Sequence, residues 1–236
     1  MSGPMPKHVA IIMDGNRRFA EEYLESDTCK GHERGEIKLE EMLNWCLDLG
    51  IEYVTAYAFS TENFNRDGEE VDFIMELCEK SLYKIADLDK THEEGMRVRV
   101  LGDRTMLPEA VIKAAEYAEG KTKGYSKFNF NLAIAYGGRQ EIVSAVKDIA
   151  LKVKNGGMEV EDITESTISA HLYTWDLPDP DLILRTSGEV RMSNFLLWQL
   201  AYSELYFTDV YWPGFRFIDL LRAIRTYQQR VRRYGA

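Results

Sequence analysis

Short apolar segments alternate with long helical patterns along this chain, and this alternation limits the folds that it can adopt. Apolar residues at helical spacing predict long helices, among them 31–49 and 69–94. Between the helices, short runs rich in β-branched and aromatic residues predict strands at 9–13, 51–59, 96–101, 128–135, 181–184 and 205–211. Strands that alternate with helices pair in parallel. We therefore expect one α/β domain over residues 1–236, with a mainly parallel sheet of about six strands flanked by helices.

Polar clusters follow four of the predicted strands, at Asp14–Arg18, Ser60–Arg66, Tyr136–Arg139 and Arg185–Ser193. The carboxyl ends of parallel strands meet at one edge of a sheet, where open α/β sheets bind their ligands. Guanidinium groups match phosphate oxygens, and glycine turns expose backbone N–H groups to anions. The sequence therefore predicts an anion site, with a diphosphate on the Gly15–Arg18 turn. The arginines that would gather there are Arg17, Arg18, Arg66, Arg139, Arg185 and Arg191.

Asp14, directly after the first predicted strand, admits several roles. Phosphotransfer sites commonly need a second acid two residues on, and Asn16 occupies that position. No G-x-G-x-x-G motif precedes Asp14, so we do not expect a dinucleotide-binding Rossmann domain. Two roles stay open: Asp14 could cap the following helix, or it could bind Mg²⁺ together with phosphate oxygens and one further acid.

Charge and cysteine content exclude some classes of protein. A net charge of −10 argues against nucleic-acid binding, because a polyanion would be repelled by most of the surface. Cys29, Cys46 and Cys78 form no C-x-x-C pair, which favours reduced thiols and a cytoplasmic location. No segment reaches the roughly 18–20 apolar residues that a membrane span needs, and the amino terminus lacks the features of a signal peptide. Peripheral association with a membrane stays compatible with this composition.

Two predicted helices, at 36–49 and 69–87, carry more apolar surface than one packed stripe requires. A dimer interface or a thick core would explain this surplus. The alternative is that both helices line an apolar tunnel beside the sheet.

Seven motifs, in this order, resemble the cis-prenyltransferase family, which includes undecaprenyl and dehydrodolichyl diphosphate synthases. The Arg17 form of the first motif is similar to that of archaeal and eukaryotic members. The motifs are H-V-A-I-I-M-D-G-N-R-R at 8–18, G-H-x-x-G at 31–35, Y-A-F-S-T-E-N-F-N-R at 57–66, Y-G-G-R at 136–139, R-T-S-G-E-V-R-M-S-N-F-L-L-W-Q at 185–199, Y-S-E-L-Y-F at 202–207 and R-R-Y-G at 232–235.

The resemblance implies repeated addition of isopentenyl diphosphate to an allylic diphosphate, such as farnesyl or geranylgeranyl diphosphate. Each addition would form a cis double bond and release pyrophosphate, with Mg²⁺ as cofactor, and the product would serve as a glycosyl-carrier lipid. Asp14 would bind Mg²⁺ and promote departure of the diphosphate, Glu204 would be the second metal-linked carboxylate, and Asn63 would accept or relay the proton. The implied substrate-binding residues are Gly15, Asn16, Arg17, Arg18, Phe19, His32, Ser60, Thr61, Glu62, Phe64, Arg66, Arg185, Arg191, Met192, Ser193, Arg233 and Gly235.

The resemblance also implies a homodimer in which Arg233 and Gly235 of each carboxyl terminus complete the partner's isopentenyl diphosphate site. It implies that the strand with Phe128 and Phe130 contributes to the floor of the tunnel. Two other hypotheses stay open. One is a related enzyme with a short product or a different acceptor, and the other is a non-catalytic partner subunit. The chain departs from common family residues at Thr28, Val190, Ala135, Phe19 and Phe64.

Overall fold

A computed structural model describes residues 3–24 and 28–230 of the chain. The strands are β1 (His8–Ile12), β2 (Tyr53–Ser60), β3 (Met96–Leu101), β4 (Phe128–Tyr136), β5 (Leu182–Arg185) and β6 (Glu204–Phe207). The helices are α1 (Asn16–Phe19), α2 (Thr28–Asp48), α3 (Gly68–Asp87), α4 (Asp89–Glu93), α5 (Glu109–Thr122), α6 (Gly138–Lys154), α7 (Glu165–Ser169) and α8 (Phe217–Gln229). A π-helical turn, Ala20–Leu24, extends α1.

In the described part of the chain, six strands form one sheet in the order β3-β4-β2-β1-β5-β6, and every pair is parallel. The predicted α/β domain with a parallel sheet is thereby confirmed. β1 lies in the middle, where Ile12 pairs with Tyr57 of β2 on one side and with Arg185 of β5 on the other. The segments that follow β1, β2 and β5 therefore meet at the same edge of the sheet.

Both faces of the sheet are covered, because alternate residues of β1 enter two different apolar cores. Val9 and Ile11 belong to the larger core, which also contains residues of α2, α3, α5 and α8. Ala10 and Ile12 belong to a smaller core with Phe195 on the opposite face. This continuous burial explains why β1 is apolar without alternation, as is usual for a central parallel strand.

Two helix boundaries differ from the prediction. The helix expected over 69–94 is divided into α3 and α4, because Leu88 has an extended backbone (φ −64°, ψ 129°). The Thr91 hydroxyl donates to the Ile85 carbonyl at 2.6 Å, which satisfies one carbonyl at the break. The long helix expected to open at Gly31 begins at Thr28 instead. Within the described ranges, no helix combines the length and the apolar character needed to cross a bilayer.

Candidate active site

Asp14 lies just beyond the end of β1, and two arginines contact its carboxylate. Arg185 Nη2 is 2.7 Å from Asp14 Oδ2, and Arg18 Nη2 is 3.1 Å from Asp14 Oδ1. The Thr186 hydroxyl accepts a hydrogen bond from the Asp14 N–H at 3.0 Å and donates to the Asp14 carbonyl at 2.7 Å. The backbone and the side chain of Asp14 are both fixed, by the first and the last of the predicted polar clusters.

Arg185 organises the segment after β5. The side chain is only 4% exposed, and Nη1 donates to Ser193 Oγ at 2.7 Å and to the Arg191 carbonyl. Among the described residues, its buried Nε has no hydrogen-bond partner. Arg191 itself is 63% exposed and pairs with Glu189, which also contacts Arg18 Nη1 at 3.5 Å. This segment therefore presents one buried arginine, Arg185, behind Asp14 and one exposed arginine, Arg191, at the surface.

Glu70, in the first turn of α3, joins three basic side chains. Its carboxylate is 3.0 Å from Arg66 Nη1, 3.1 Å from His32 Nε2 and 3.5 Å from Arg17 Nη1. Burial by itself would raise the pKa of Glu70, but the hydrogen bond with His32 and the charges of Arg66 and Arg17 lower it overall. Burial lowers the pKa of His32, although Glu70 opposes this shift. At neutral pH the cluster is therefore an ionised carboxylate that holds two arginines and an imidazole.

The G-H-x-x-G motif allows the amino-terminal part of α2 to pack closely against Asn16. A Cβ atom on Gly31 would lie 2.1 Å from the Asn16 carbonyl oxygen, and one on Gly35 would lie 2.6 Å from Asn16 Oδ1. Asn16 Oδ1 is buried and accepts no hydrogen bond from the described residues. Gly15, at φ +102°, makes the turn that precedes α1 and leaves no room for a side chain beside Tyr211. The glycines of both motifs thus meet a steric requirement.

The segment after β2 forms a 3₁₀ turn over Thr61–Asn65. Asn63 Oδ1 accepts a hydrogen bond from the Ser60 N–H at 3.0 Å, which fixes the amide of Asn63. Phe64 packs edge-on against Phe59, with ring centroids 4.8 Å apart. Glu62 Oε1 accepts from Asn194 Nδ2 at 2.8 Å, which ties this turn to the segment after β5.

A cavity lies between α2, α3 and the sheet, and its empty volume is about 840 Å³ with the part that is open to solvent included. Its wall is mostly apolar, which confirms that the apolar surplus of the two helices faces a tunnel. We call this cavity the apolar tunnel. The apolar residues that line it are Met13, Leu39, Leu43, Ala58, Ile74, Leu77, Cys78, Leu82, Ile85, Leu88, Phe130, Leu132 and Trp212.

A second, polar cavity adjoins the apolar tunnel, because Met13, Asn16 and His32 line both. The polar cavity is further lined by Asp14, Gly15, Arg17, Arg18, Glu21 and Arg66. Together the two cavities form one site with a basic end and an apolar end. A ligand with an anionic head and a hydrocarbon tail matches this arrangement.

Two residues that we expected at this site, Glu204 and Arg139, lie elsewhere in the described chain. Glu204 begins β6 and pairs with Leu182, so it lies at the amino ends of the strands, whereas Asp14 follows the carboxyl end of β1. Its carboxylate binds Arg230 at 2.7 Å. Because all strands run the same way, the described chain does not bring Glu204 to Asp14 as a second carboxylate. The Arg139 side chain lines a separate surface cavity with Asp103.

Further expectations concern Phe19, Thr61, Met192 and the terminus. Phe19 packs at a tilt on Tyr23, with ring centroids 5.2 Å apart. Thr61 donates to its neighbour Glu62, and Met192 packs on the smaller core. Arg233 and Gly235 lie outside the described residues, so their predicted role stays a prediction.

The donors around Asp14 fit a Mg²⁺ ion that arrives with a diphosphate. Within 3–24 and 28–230, no group of three or more His, Cys, Asp or Glu side chains is arranged to hold a metal. Asp14 offers one carboxylate, beside arginines that would bind phosphate oxygens. Mg²⁺ is commonly bound by one or two carboxylates together with substrate phosphates and water, and this donor set is compatible with that pattern.

Sequence analysis did not identify Glu70, because the helix that contains it was considered for its apolar face alone. Glu70 follows Arg66 by four residues and contacts it across the start of α3, although Arg66 itself precedes the helix in an extended conformation. An acidic residue four positions after Arg66, an arginine of the predicted anion site, was the sequence signal that could have identified Glu70.

A family model described as "Putative undecaprenyl diphosphate synthase" matches residues 12–235. The chain is 60% identical, over 233 residues, to the "Tritrans,polycis-undecaprenyl-diphosphate synthase (geranylgeranyl-diphosphate specific)" of Methanocaldococcus jannaschii, with 98% of this chain and 83% of that protein covered. It is 55% identical over 234 residues to a protein of the same name from Thermococcus kodakarensis, with 99% and 88% covered.

Among solved structures, the chain is similar to lavandulyl diphosphate synthase from Lavandula x intermedia in complex with dimethylallyl diphosphate. The TM-score is 0.92 at 38% identity, and 98% of this chain and 99% of that chain are covered.

Proposed function

The chain belongs to the cis-prenyltransferase family and is a transferase of prenyl groups, and from this premise we propose that it is a Mg²⁺-dependent polyprenyl diphosphate synthase. It condenses isopentenyl diphosphate repeatedly with an allylic primer and releases pyrophosphate at each step. The names of its archaeal relatives specify geranylgeranyl diphosphate, which we propose as its primer too. The polyprenyl product would serve as a glycosyl-carrier lipid.

The position of the polar cavity directly beside the apolar tunnel supports this proposal. Asn16 and His32 line both spaces, so a ligand bound at the arginines would extend its tail along α2 and α3. A soluble sugar phosphate or nucleotide would leave the apolar part unfilled. A prenyl diphosphate fills both.

The arginines would stabilise the charge that develops when the allylic C–O bond breaks and its electron pair leaves with the diphosphate. Arg17 and Arg18 face the polar cavity with the backbone N–H groups of the Gly15–Arg18 turn. The double bond of isopentenyl diphosphate then attacks the allylic carbon. The apolar wall beside Met13 keeps water away from that electron-poor carbon.

Asp14 would hold the Mg²⁺ ion, which when bound withdraws negative charge from the departing diphosphate. The Asp14 carboxylate is already oriented by Arg18 and Arg185. A diphosphate that binds Arg18 would free one oxygen of Asp14 for the ion.

Isopentenyl diphosphate would bind beside the segment after β5, near Ser193 and the exposed Arg191. The turn with Ser60 and Asn63 is tied to this segment through Glu62 and Asn194, so it is well placed to face the second substrate. Asn63 would accept or relay the proton that this substrate loses when the new double bond forms.

We further propose that two copies form a homodimer in which Arg233 and Gly235 reach the isopentenyl diphosphate site of the partner. The enzyme would act in the cytoplasm, with peripheral contact to the membrane that receives its lipid product. Buried thiols at Cys46 and Cys78 agree with a reducing compartment.

The test is incubation with radiolabelled isopentenyl diphosphate, Mg²⁺ and either farnesyl or geranylgeranyl diphosphate. We expect longer polyprenyl diphosphates, higher turnover with the geranylgeranyl primer, and no turnover in excess EDTA. Failure to incorporate label with either primer would contradict the proposal.

A second candidate is a prenyltransferase with a short product or a different acceptor. The likeness to lavandulyl diphosphate synthase favours it, although the identity is lower than with the archaeal relatives. Mass spectrometry of the products with isopentenyl or dimethylallyl diphosphate as acceptor distinguishes the two candidates.

A further inference from the structure

Four polar side chains interrupt the apolar wall of the tunnel away from its basic end. They are Glu36 and Glu40 on α2, and Ser81 and Lys84 on α3. Lys84 Nζ is 2.7 Å from Glu40 Oε2 and 3.4 Å from Glu36 Oε1, and the Ser81 hydroxyl donates to Glu36 Oε1 at 3.3 Å. We call this set the charged bridge. It joins the two helices that form the tunnel.

The charged bridge lies where the tunnel meets solvent. The side chains of Lys84 and Glu40 are 47% and 43% exposed, although both line the cavity. Leu39 and Leu77, which also line the cavity, are partly exposed rather than buried. One side of the apolar tunnel is therefore open to solvent between α2 and α3, and the ion pairs of the charged bridge span this opening.

The position along α3 indicates which part of a ligand passes the charged bridge. Ser81 follows Glu70 by eleven residues, which corresponds to roughly 16 Å along the helix axis. Glu70 belongs to the basic cluster at the diphosphate end. The charged bridge is therefore beside the hydrocarbon tail of a bound ligand and away from the reacting atoms.

The charged bridge can open without disturbing the core. Ion pairs between exposed side chains contribute little to stability, because water solvates the separated charges well. Long side chains such as Lys84 can also swing outward while their stems cover apolar surface. The hydrogen bond with Glu40 raises the pKa of Lys84 and Glu36 adds to this shift, so Lys84 stays charged at neutral pH.

We propose that the charged bridge is a lateral gate, through which the tail of the product leaves the tunnel between α2 and α3. The inference rests on the proposed function, because it assumes a tail that grows inside the tunnel. Withdrawal past Arg17 and Arg66 would draw the whole apolar tail through a basic, hydrated cavity. Lateral release only separates exposed ion pairs, and it delivers the tail directly to an apolar acceptor such as a bilayer.

The gate can be locked with the double variant Glu40→Cys/Lys84→Cys in a Cys29→Ser background. A bis-methanethiosulfonate reagent would link the two helices through a short spacer, and a reductant would release the link. Cys78 lines the tunnel, so it is replaced by serine in the same background, whereas Cys46 is fully buried and can stay.

The linked enzyme should form its first products at the rate of the reduced enzyme, measured by rapid quench. Its steady-state rate should fall at least tenfold, and reduction should restore it. The matched control is Glu76→Cys/Lys80→Cys, which replaces an ion pair within α3 that does not line the tunnel. Linking this pair should leave both rates unchanged.

An unchanged steady-state rate in the linked Glu40→Cys/Lys84→Cys enzyme would overturn the gate. Failure of the proposed function is a different result, in which the unmodified protein incorporates no isopentenyl diphosphate. In that case, dissociation of a fluorescent polyprenyl diphosphate tests the gate directly by stopped flow. Slower dissociation from the linked form supports the gate, and equal rates reject it.

Discussion

Replacing Glu70 by glutamine removes the negative charge that holds three basic side chains at the mouth of the tunnel. The Glu70 carboxylate lies 3.0 Å from Arg66, 3.1 Å from His32 and 3.5 Å from Arg17. A neutral amide holds these groups less firmly, so both arginines gain freedom in the unliganded enzyme. The diphosphate must then order them itself, and we expect its binding to weaken.

The magnitude follows from the number of side chains that are released. Ordering one long side chain on binding costs about 0.5–1.5 kcal/mol, so Arg17 and Arg66 together cost about 1–3 kcal/mol. At 1.4 kcal/mol for each factor of ten, the dissociation constant rises about 5- to 150-fold. Arg17 is 52% exposed and retains much freedom already, so we expect about tenfold. The more positive potential acts in the opposite direction, and solvent screens it at Arg17, which is more exposed than Arg66.

The assay is calorimetric titration with a non-reactive thio analogue of the allylic diphosphate. The matched control is Glu69→Gln, because Glu69 is exposed in the same turn of α3. Burial lowers the pKa of His32 and Glu70 opposes this shift, so NMR titration should show a further decrease in Glu70→Gln. Binding by Glu70→Gln as tight as that of the control, or tighter, would refute the positioning role of this carboxylate.

Three further predictions concern the metal site, the tunnel floor and acid stability. Asp14→Ala should lower turnover by about 10²–10³-fold with an unchanged circular dichroism spectrum, and turnover near that of the unsubstituted enzyme would reject its assigned role. Phe130→Ala should lengthen the products, because Phe130 lines the tunnel and Phe128 does not, so Phe128→Ala is its control in product analysis by mass spectrometry. Burial lowers the pKa of His8 from 6.5 to about 4. Between pH 6.5 and 4, His8 therefore binds a proton more readily in the unfolded state than in the folded state. About 3 kcal/mol of stability should be lost between pH 6.5 and 4, and urea unfolding should show a smaller loss in His8→Gln.

The parallel sheet could be predicted because each strand is a short apolar run and each helix has a clear period. The same pattern places Asp14 and Arg185 after neighbouring strands, and the structure brings these two side chains within 2.7 Å. Tertiary contacts determine features, such as helix ends, that the pattern of apolar residues does not contain. The break between α3 and α4 at Leu88 is one example, since neither glycine nor proline marks that point and the Thr91 hydroxyl satisfies the Ile85 carbonyl there.

The position of a site residue in a parallel sheet depends on which end of a strand it occupies. Glu204 was assigned by resemblance, and because it is the first residue of the last strand, the described chain puts it at the edge opposite Asp14. Glu70 was missed because partners from α1, α2 and the turn after β2 converge on it in space. Arg17 and His32 are far enough from Glu70 in sequence that helical spacing does not reveal these pairs.

The pairing of the central strand also determines the order in which a growing polypeptide can complete this enzyme. β1 can pair with β2 early in synthesis, but its other edge stays unpaired until β5 is synthesised. Asp14 likewise contacts Arg185, which follows it by 171 residues in the sequence. Apart from Trp212, the residues that line the tunnel are translated well before Arg185, which orients the Asp14 carboxylate. A nascent chain can therefore shelter hydrocarbon before it can ionise an allylic diphosphate, and until β5 emerges it exposes an unpaired strand edge to aggregation. Because β5 is synthesised late, we expect the enzyme to become active only after most of the sheet has formed.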